Sequence, residues 1–230
     1  MNTKIALCLS GQLRFIEEGY YRNIFPFILH GNNVDVFIHT WAVDDEQNGK
    51  PYINGGNHLM GEPVDKSHML DVFNLYNPVR YLIQKQVPFS NDKYSDRLMP
   101  GIKSHNLFSM FYSIYKSNEL KRQHELENGF KYDIVVRSRF DIKLDKKIDF
   151  SLNTSKLQIP FNCFDPSNGY VDGIGYSNSE IMDVYSDTFN NIDSIMERYD
   201  MRLCGEYVLR KQIDDNGIQV EQNFSHSLYR

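Results

Sequence analysis

The chain has 230 residues and a formal net charge of -5, with acidic and basic residues interspersed along it. This balance argues against a nucleic-acid-binding protein, because such proteins use a basic surface to neutralise phosphates. Hydrophobic residues make up 41% of the chain, which predicts a packed globular core. No stretch approaches the roughly 20 apolar residues of a membrane-spanning helix.

The cysteines Cys8, Cys163 and Cys204 are far apart and form no CxxC pair. This pattern favours a reducing compartment. The apolar run near the N terminus is too short for a signal peptide, because Gln12 and Arg14 interrupt it. We therefore expect a soluble, intracellular protein of the cytoplasm without a transmembrane segment.

Strands and helices alternate in the first half of the sequence, each with its typical periodicity. We predict strands at residues 4–10, 34–40 and 79–85, and helices at about 15–25, 68–76 and 104–128. Pro26 is expected to kink or end the first helix, and Gly129 stands where a glycine commonly terminates a helix. Two polar stretches, 42–66 and 86–101, are too long for plain connections.

The second half contains shorter pieces of both kinds. We predict strands at 132–141, 157–160, 170–176 and 218–222, a helix capped by Asn178 or Ser179, and a helix over about 206–216. The simplest fold is a single α/β domain over residues 1–230. It would have a Rossmann-like, mixed but mostly parallel sheet flanked by helices.

The segment YDIVVRSRFD, residues 132–141, is the most informative part of the chain. Its apolar run predicts a buried strand, and Arg137, Arg139 and Asp141 follow at a spacing of two. If the strand continues through Asp141, these side chains share one face where it leaves the core. Arginines suit phosphate oxygens, and a carboxylate suits a divalent cation. An ion pair of Arg137 with Asp141 that caps the strand explains the pattern equally well.

Two further strand ends carry candidate ligand-binding residues. Ser10, Gly11, Gln12 and Arg14 follow the first strand, where exposed backbone N–H groups and a positive charge suit a nucleotide diphosphate. An ordinary strand-to-helix turn with a solvated Arg14 is the alternative.

The second strand ends at His39 and Trp41, the only tryptophan of the chain. An aromatic plane at a strand end suits stacking on a base or sugar ring. Core packing is the commoner fate of a tryptophan.

Asp172 and Glu206 are the candidate catalytic carboxylates. Asp172 lies beside a glycine at a predicted strand end, and Glu206 lies where a helix is predicted to begin. Either can act as a general base or bind a sugar hydroxyl. Asp172 could instead be a turn residue, and Glu206 an acidic residue favoured by the helix dipole.

Several common motifs are absent from the sequence. It has no GxxxxGK[ST] phosphate loop, no GxGxxG after the first strand, no GxSxG and no HExxH. Classical dinucleotide binding and a zinc site are therefore not expected.

Taken in order, several segments resemble small GT-A-type glycosyltransferases, of the kind found among bacterial surface-polysaccharide genes and in large algal viruses. The matching segments are IALCLSGQLR, VDVFIHTW, NLFSMFYSIYKSNEL, YDIVVRSRFDI, DGIGYSNSEIMDVYS and GEYVLRKQIDDNGIQV. The resemblance implies a GT-A-like domain with a nucleotide-sugar-binding half over about 1–141 and an acceptor and catalytic half over about 142–230. It also implies a nucleotide-sugar donor, with a UDP-linked sugar as the first candidate, a glycan acceptor, and Mn²⁺ or Mg²⁺. A viral member would work in the cytoplasm of its host.

The metal motif of that family is Asp-x-Asp, and only its last residue is present here, in Arg139-Phe140-Asp141. The resemblance suggests Asp141 as a metal ligand, with His226 completing the site. Alternatively, Arg137 and Arg139 neutralise the diphosphate without metal. Relatives often place the base just inside a helix, which suggests Glu206 as base and Asp172 as a ligand of sugar hydroxyls.

Two other functions remain open from the sequence. A sugar-phosphate nucleotidyltransferase would share the fold, the arginines and the metal, although it usually has a lysine in the loop after the first strand. A non-catalytic carbohydrate-binding module is the third possibility.

Overall fold

A computed structural model of the chain describes residues 3–41, 66–89, 92–161 and 169–229. Nearly all of the predicted polar stretch 42–66 lies outside these ranges. Seven strands form one mixed sheet in the order β3-β2-β1-β4-β7-β6-β8, and β5 pairs with β9 separately. The strands are β1 Lys4–Ser10, β2 Asn33–Trp41, β3 Arg80–Gln84, β4 Ile134–Ser138, β5 Ile142–Leu144, β6 Leu157–Pro160, β7 Ile174–Ser177, β8 Val220–Phe224 and β9 His226–Leu228.

Helices cover both faces of the sheet. They are α1 Ile16–Gly19, a π-helix Tyr20–Leu29, α2 Lys66–Tyr76, a 3₁₀-helix Asp92–Arg97, α3 Ser104–Asn128, α4 Ser179–Ser186, α5 Thr188–Arg198 and α6 Gly205–Asp215. The predicted α/β class and the mixed, mostly parallel sheet are thus confirmed. Strands from both predicted halves of the chain belong to the same sheet.

Strand β1 shows why its sequence is almost continuously apolar. Ile5, Leu7 and Leu9 belong to the core on one face of the sheet, together with residues of α1, the π-helix and α2. Ala6 and Cys8 belong to the core on the other face, with residues of α3 to α6. A parallel strand that is covered on both sides needs apolar residues at every position.

Strand β1 also marks the point at which the strand order reverses. The chain moves from β1 to β2 and β3 on one side, and then returns to place β4 on the other side of β1. All four strands run parallel. In open α/β sheets, ligands bind outside the carboxyl ends of the strands at such a reversal.

The structure corrects three details of the prediction. The first helix does not end at Pro26, since the π-helix continues to Leu29 with Ile24 and Ile28 fully buried. Packing of this apolar face outweighs the one donor that proline lacks. Strand β4 ends at Ser138 rather than at Asp141. Helix α5 and the paired strands β5 and β9 were not predicted.

A buried charge network joins α3 to α4. Lys121 is fully buried and donates to Glu125 at 3.1 Å, to Ser179 at 2.6 Å and to Asp183 at 2.7 Å. The carboxylate of Glu125 also accepts from Lys131 at 3.0 Å. This network satisfies an ammonium group that would be very costly to bury alone, and it fixes the helix layer that carries one wall of the site.

Candidate functional site

A cavity of about 350 Å³ opens at the carboxyl ends of β1, β2 and β4. It lies at the strand-order reversal, between the segment after β1 and the segment after β4. The described lining residues are Ser10, Gly11, Gln12, Arg14, Trp41, Gln86, Ile102, Asn106, Leu107, Ser109, Met110, Arg137, Arg139, Asp141, Asp172 and Gly205. The cavity therefore brings together nine of the twelve residues that the sequence suggested; His39, Glu206 and His226 are not among its described lining residues.

Strand register explains how residues far apart in sequence meet here. Cys8 of β1 lies beside Arg137 of β4, and Ser10 lies beside His39 of β2. Because side chains alternate along a strand, Ser10 projects on the same face as Cys8. Val135 packs in the core on that face, and Arg137 follows it at a spacing of two. Ser10 and Arg137 thus reach one cavity from neighbouring strands.

Arg139 and Asp141 reach the cavity by a turn rather than by strand alternation. Arg139 Nε and Nη2 donate to the two carboxylate oxygens of Asp141, each at 2.7 Å. These bonds and the charge of Asp141 raise the pKa of Arg139 although burial opposes this. The predicted capping pair was Arg137 with Asp141, and the structure pairs Arg139 with Asp141 instead. Arg14 Nη1 lies 4.0 Å from Asp141 Oδ2.

Arg137 is the most unusual side chain of the site. It is 1% exposed, and its Nε and Nη1 have no hydrogen-bond partner among the described residues. Burial lowers the pKa of this guanidinium, against the opposing charge of Asp172. Ser10 Oγ and Arg14 Nε, which line the same cavity, are also buried without a partner in the described part of the chain. Buried polar groups in folded proteins normally have partners, so these donors indicate a ligand.

The turn after β1 is used differently from the prediction. Gly11 has a φ of 109°, which favours glycine. Its N–H, which was expected to face a phosphate, donates instead to Ser113 Oγ at 2.8 Å. The Ser113 hydroxyl also hydrogen-bonds to Nδ1 of His39 at 2.7 Å. His39 is fully buried, and burial lowers its pKa to about 4. His39 therefore supports the turn after β1 through its hydrogen bond to Ser113.

Trp41 lines the cavity with its aromatic ring, which also contacts two neighbouring rings. Its ring stacks on Tyr112 with centroids 5.6 Å apart, and the edge of His39 meets it at 4.9 Å. Trp41 is 3% exposed and still lines the cavity. The predicted core role and the predicted lining role are thus compatible.

Asp172 also lines the cavity, and its charge interacts with those of Arg137 and Arg139. A Cβ atom added to Gly205 would lie 2.6 Å from Asp172 Oδ2, so this carboxylate sits against the first residue of α6. Burial raises the pKa of Asp172, while Arg137 and Arg139 oppose the rise. A raised pKa makes a carboxylate a better proton acceptor near neutral pH.

Glu206 and His226 flank the site. The backbone oxygen of Glu206 accepts from the N–H of Tyr170 at 3.0 Å. The His226 ring packs on Gly173, where an added Cβ would lie 3.0 Å from Nε2. Burial and the charges of Arg139 and Arg137 lower the pKa of His226 to about 4.

The residues present do not fit the divalent cation that the resemblance implies. Both oxygens of Asp141 are held by Arg139, and His226 lies in the positive field of two arginines. Within the described ranges, no group of three or more His, Cys, Asp or Glu side chains is suited to a metal. Asp141 and His226 therefore do not form the expected ligand set in this arrangement.

The wall formed by α3 and the segment before it was not predicted from the sequence. The lining residues there are Gln86, Ile102, Asn106, Leu107, Ser109 and Met110. Gln86 donates to Ser109 Oγ at 2.8 Å. Asn106 and Ser109 are polar residues in the first turns of α3, and they were the available signal.

Comparison with known protein families gives no match, and a search of curated proteins also finds no similar sequence. Among the described helices, none combines the length and the apolar character that crossing a bilayer requires.

Proposed function

We propose that this chain is a glycosyltransferase that moves a sugar from a nucleoside-diphosphate sugar, with a UDP-sugar as the first candidate, to a hydroxyl of a glycan acceptor. The observation that carries the proposal is the cavity at the strand reversal, in which an arginine cluster and the half-buried carboxylate of Asp172 line the same space. Its volume of about 350 Å³ lies within the range of small-molecule sites. The ordered resemblance of the sequence to GT-A-type enzymes supports the same reaction.

In the proposed reaction, Asp172 receives the proton of the acceptor, and the arginines stabilise the leaving diphosphate. The acceptor oxygen attacks the anomeric carbon while its proton passes to Asp172. The bond between the anomeric carbon and the phosphate oxygen breaks, and its electron pair leaves with the diphosphate. Fixed positive charge where this negative charge develops lowers the barrier, and Arg14, Arg137 and Arg139 supply it.

The role of base goes to Asp172 rather than to Glu206. Asp172 is among the residues that line the cavity, and its pKa is raised by burial. Glu206 is in the first turn of α6 and is not among the described lining residues. Glu206 therefore provides a matched control, because it is a neighbouring carboxyl on the same wall.

The test is nucleoside diphosphate release from a panel of UDP-, GDP- and dTDP-sugars, with and without simple glycoside acceptors. Asp172→Asn should lower kcat by the ~10²–10⁴-fold typical of a lost general base, whereas Glu206→Gln should stay close to the unmodified protein. Product analysis by NMR separates the alternatives, since a nucleotidyltransferase forms pyrophosphate and a binding module forms no product. Absence of turnover with every donor, or normal kcat in Asp172→Asn, would contradict the proposal.

A further inference from the structure

The donors without partners in the cavity define the chemistry of the ligand group that belongs there. Arg137 Nε and Nη1, Arg14 Nε and Ser10 Oγ are all donors, and all are buried. A buried guanidinium with two nitrogens that lack a hydrogen-bond partner among the described residues is strongly unfavourable. An anion with several oxygen acceptors, such as a phosphate or diphosphate, satisfies all three side chains at once.

The charge balance of the cavity also fits an anion. Three arginines and two aspartates line it. The carboxylate of Asp141 is paired with Arg139 through two bonds of 2.7 Å. Asp141 therefore holds the Arg139 guanidinium in place, and the positive charge of that guanidinium opposes a cation at the same carboxylate. The remaining cationic groups outnumber Asp172, the only other carboxylate among the described lining residues.

We propose that this site binds the diphosphate of its ligand through Arg14, Arg137 and Arg139, with Ser10, and needs no divalent cation. The diphosphate rests on the proposed function, whereas the preference for an anion rests on the side chains alone. Arg137 is the central binding residue, because it is 1% exposed and two of its nitrogens have no hydrogen-bond partner among the described residues. Asp141 is a positioning residue for Arg139.

Calorimetric titration tests the cation directly. UDP and inorganic pyrophosphate are each titrated into the protein in EDTA, and again with Mn²⁺ or Mg²⁺. We expect both to bind in EDTA, with affinities within about threefold of those with metal. Binding that appears only with a divalent cation would overturn this inference and leave the proposed function intact. Binding of pyrophosphate without any nucleotide preference would support the inference and count against the proposed function.

A pair of matched variants tests the role of Arg137. Arg137→Met should weaken UDP binding by on the order of 10²-fold, as expected for lost charge-assisted hydrogen bonds. It should also raise the unfolding midpoint Tm of the ligand-free protein, because two buried nitrogens without a hydrogen-bond partner among the described residues are removed. A lowered Tm with unchanged UDP affinity would show that Arg137 is structural.

Arg97 provides the control for the same substitution. Its guanidinium donates to three backbone oxygens, those of Met196, Tyr199 and Met201, and it is not among the cavity residues. Arg97→Met should lower Tm and leave UDP affinity unchanged. If both variants change stability in the same direction, the assignment of Arg137 as a ligand-binding residue fails.

Discussion

Replacing Lys121 by methionine should destabilise the fold far more than the same change at Lys116, although both lysines lie on α3. Lys121 is fully buried and reaches Glu125 at 3.1 Å and Asp183 at 2.7 Å. Lys116 pairs with Glu119 at 2.8 Å, but 27% of the Lys116 side chain and 31% of the Glu119 side chain are exposed. Methionine keeps much of the aliphatic stem, so the comparison isolates the ammonium group.

The size of the destabilisation depends on the ion pairs that Glu125 and Asp183 keep after Lys121 is replaced. Removing one partner of a buried ion pair costs about 3–5 kcal/mol. Glu125 keeps Lys131 at 3.0 Å, and Asp183 keeps Arg122 at 2.9 Å, which places Lys121→Met near the lower end, at about 3 kcal/mol. For a chain of this length that corresponds to roughly 6–12 °C in Tm. Loss of the exposed pair of Lys116 should cost ~0–1 kcal/mol.

Urea unfolding at pH 7 measures both variants, with far-ultraviolet circular dichroism and the fluorescence of Trp41 as probes. Trp41 is the only tryptophan and is buried, so its emission reports loss of the core. Equal destabilisation by the two substitutions would refute the reasoning, since it would mean that burial does not govern the energetics of these pairs.

Two further predictions concern the site. Gly205→Ala places a Cβ 2.6 Å from Asp172 Oδ2, closer than the 3.4 Å of an ordinary contact, so the carboxylate must move. Donor turnover should then fall by ~10²-fold while Tm stays nearly unchanged. Undiminished turnover would argue against a role for the position of Asp172. His39 is fully buried with its pKa lowered from 6.5 to about 4, so its contribution to stability is complete above pH 6.5 and is lost as the pH falls towards 4. That loss is about 3 kcal/mol, and His39→Gln should show a smaller loss of stability between pH 7 and pH 4.5 in urea titrations; identical pH dependence would contradict it.

Most elements of the fold could be predicted from local pattern. The apolar runs of β1 and β4, the periodicity of α3 and the glycine that ends α3 are short-range signals, because they depend on residues within one or two turns or on strand alternation. Helix α5 and strands β5 and β9 were missed. Strand β9 is three residues long and exists through its pairing with β5, which is a contact between distant parts of the chain.

The sequence by itself also determined which residue types meet at the site. Strand ends rich in arginine, serine and carboxylates pointed to Ser10, Arg14, Arg137, Arg139 and Asp172, and all of these line one cavity. This succeeded because parallel strands end at the same edge of a sheet, so residues after each strand converge whatever their separation in sequence.

Only the tertiary structure decided how those residues are paired. Asp141 is held by Arg139, Arg137 has no partner for two of its nitrogens within the described residues, and the Gly11 N–H is taken by Ser113. Hydrogen bonds depend on distances of a few tenths of an ångström and on burial. These quantities arise from the turn after β4 and from the seating of α3 and α6 on the sheet, and neither is encoded in the spacing of residues along the chain.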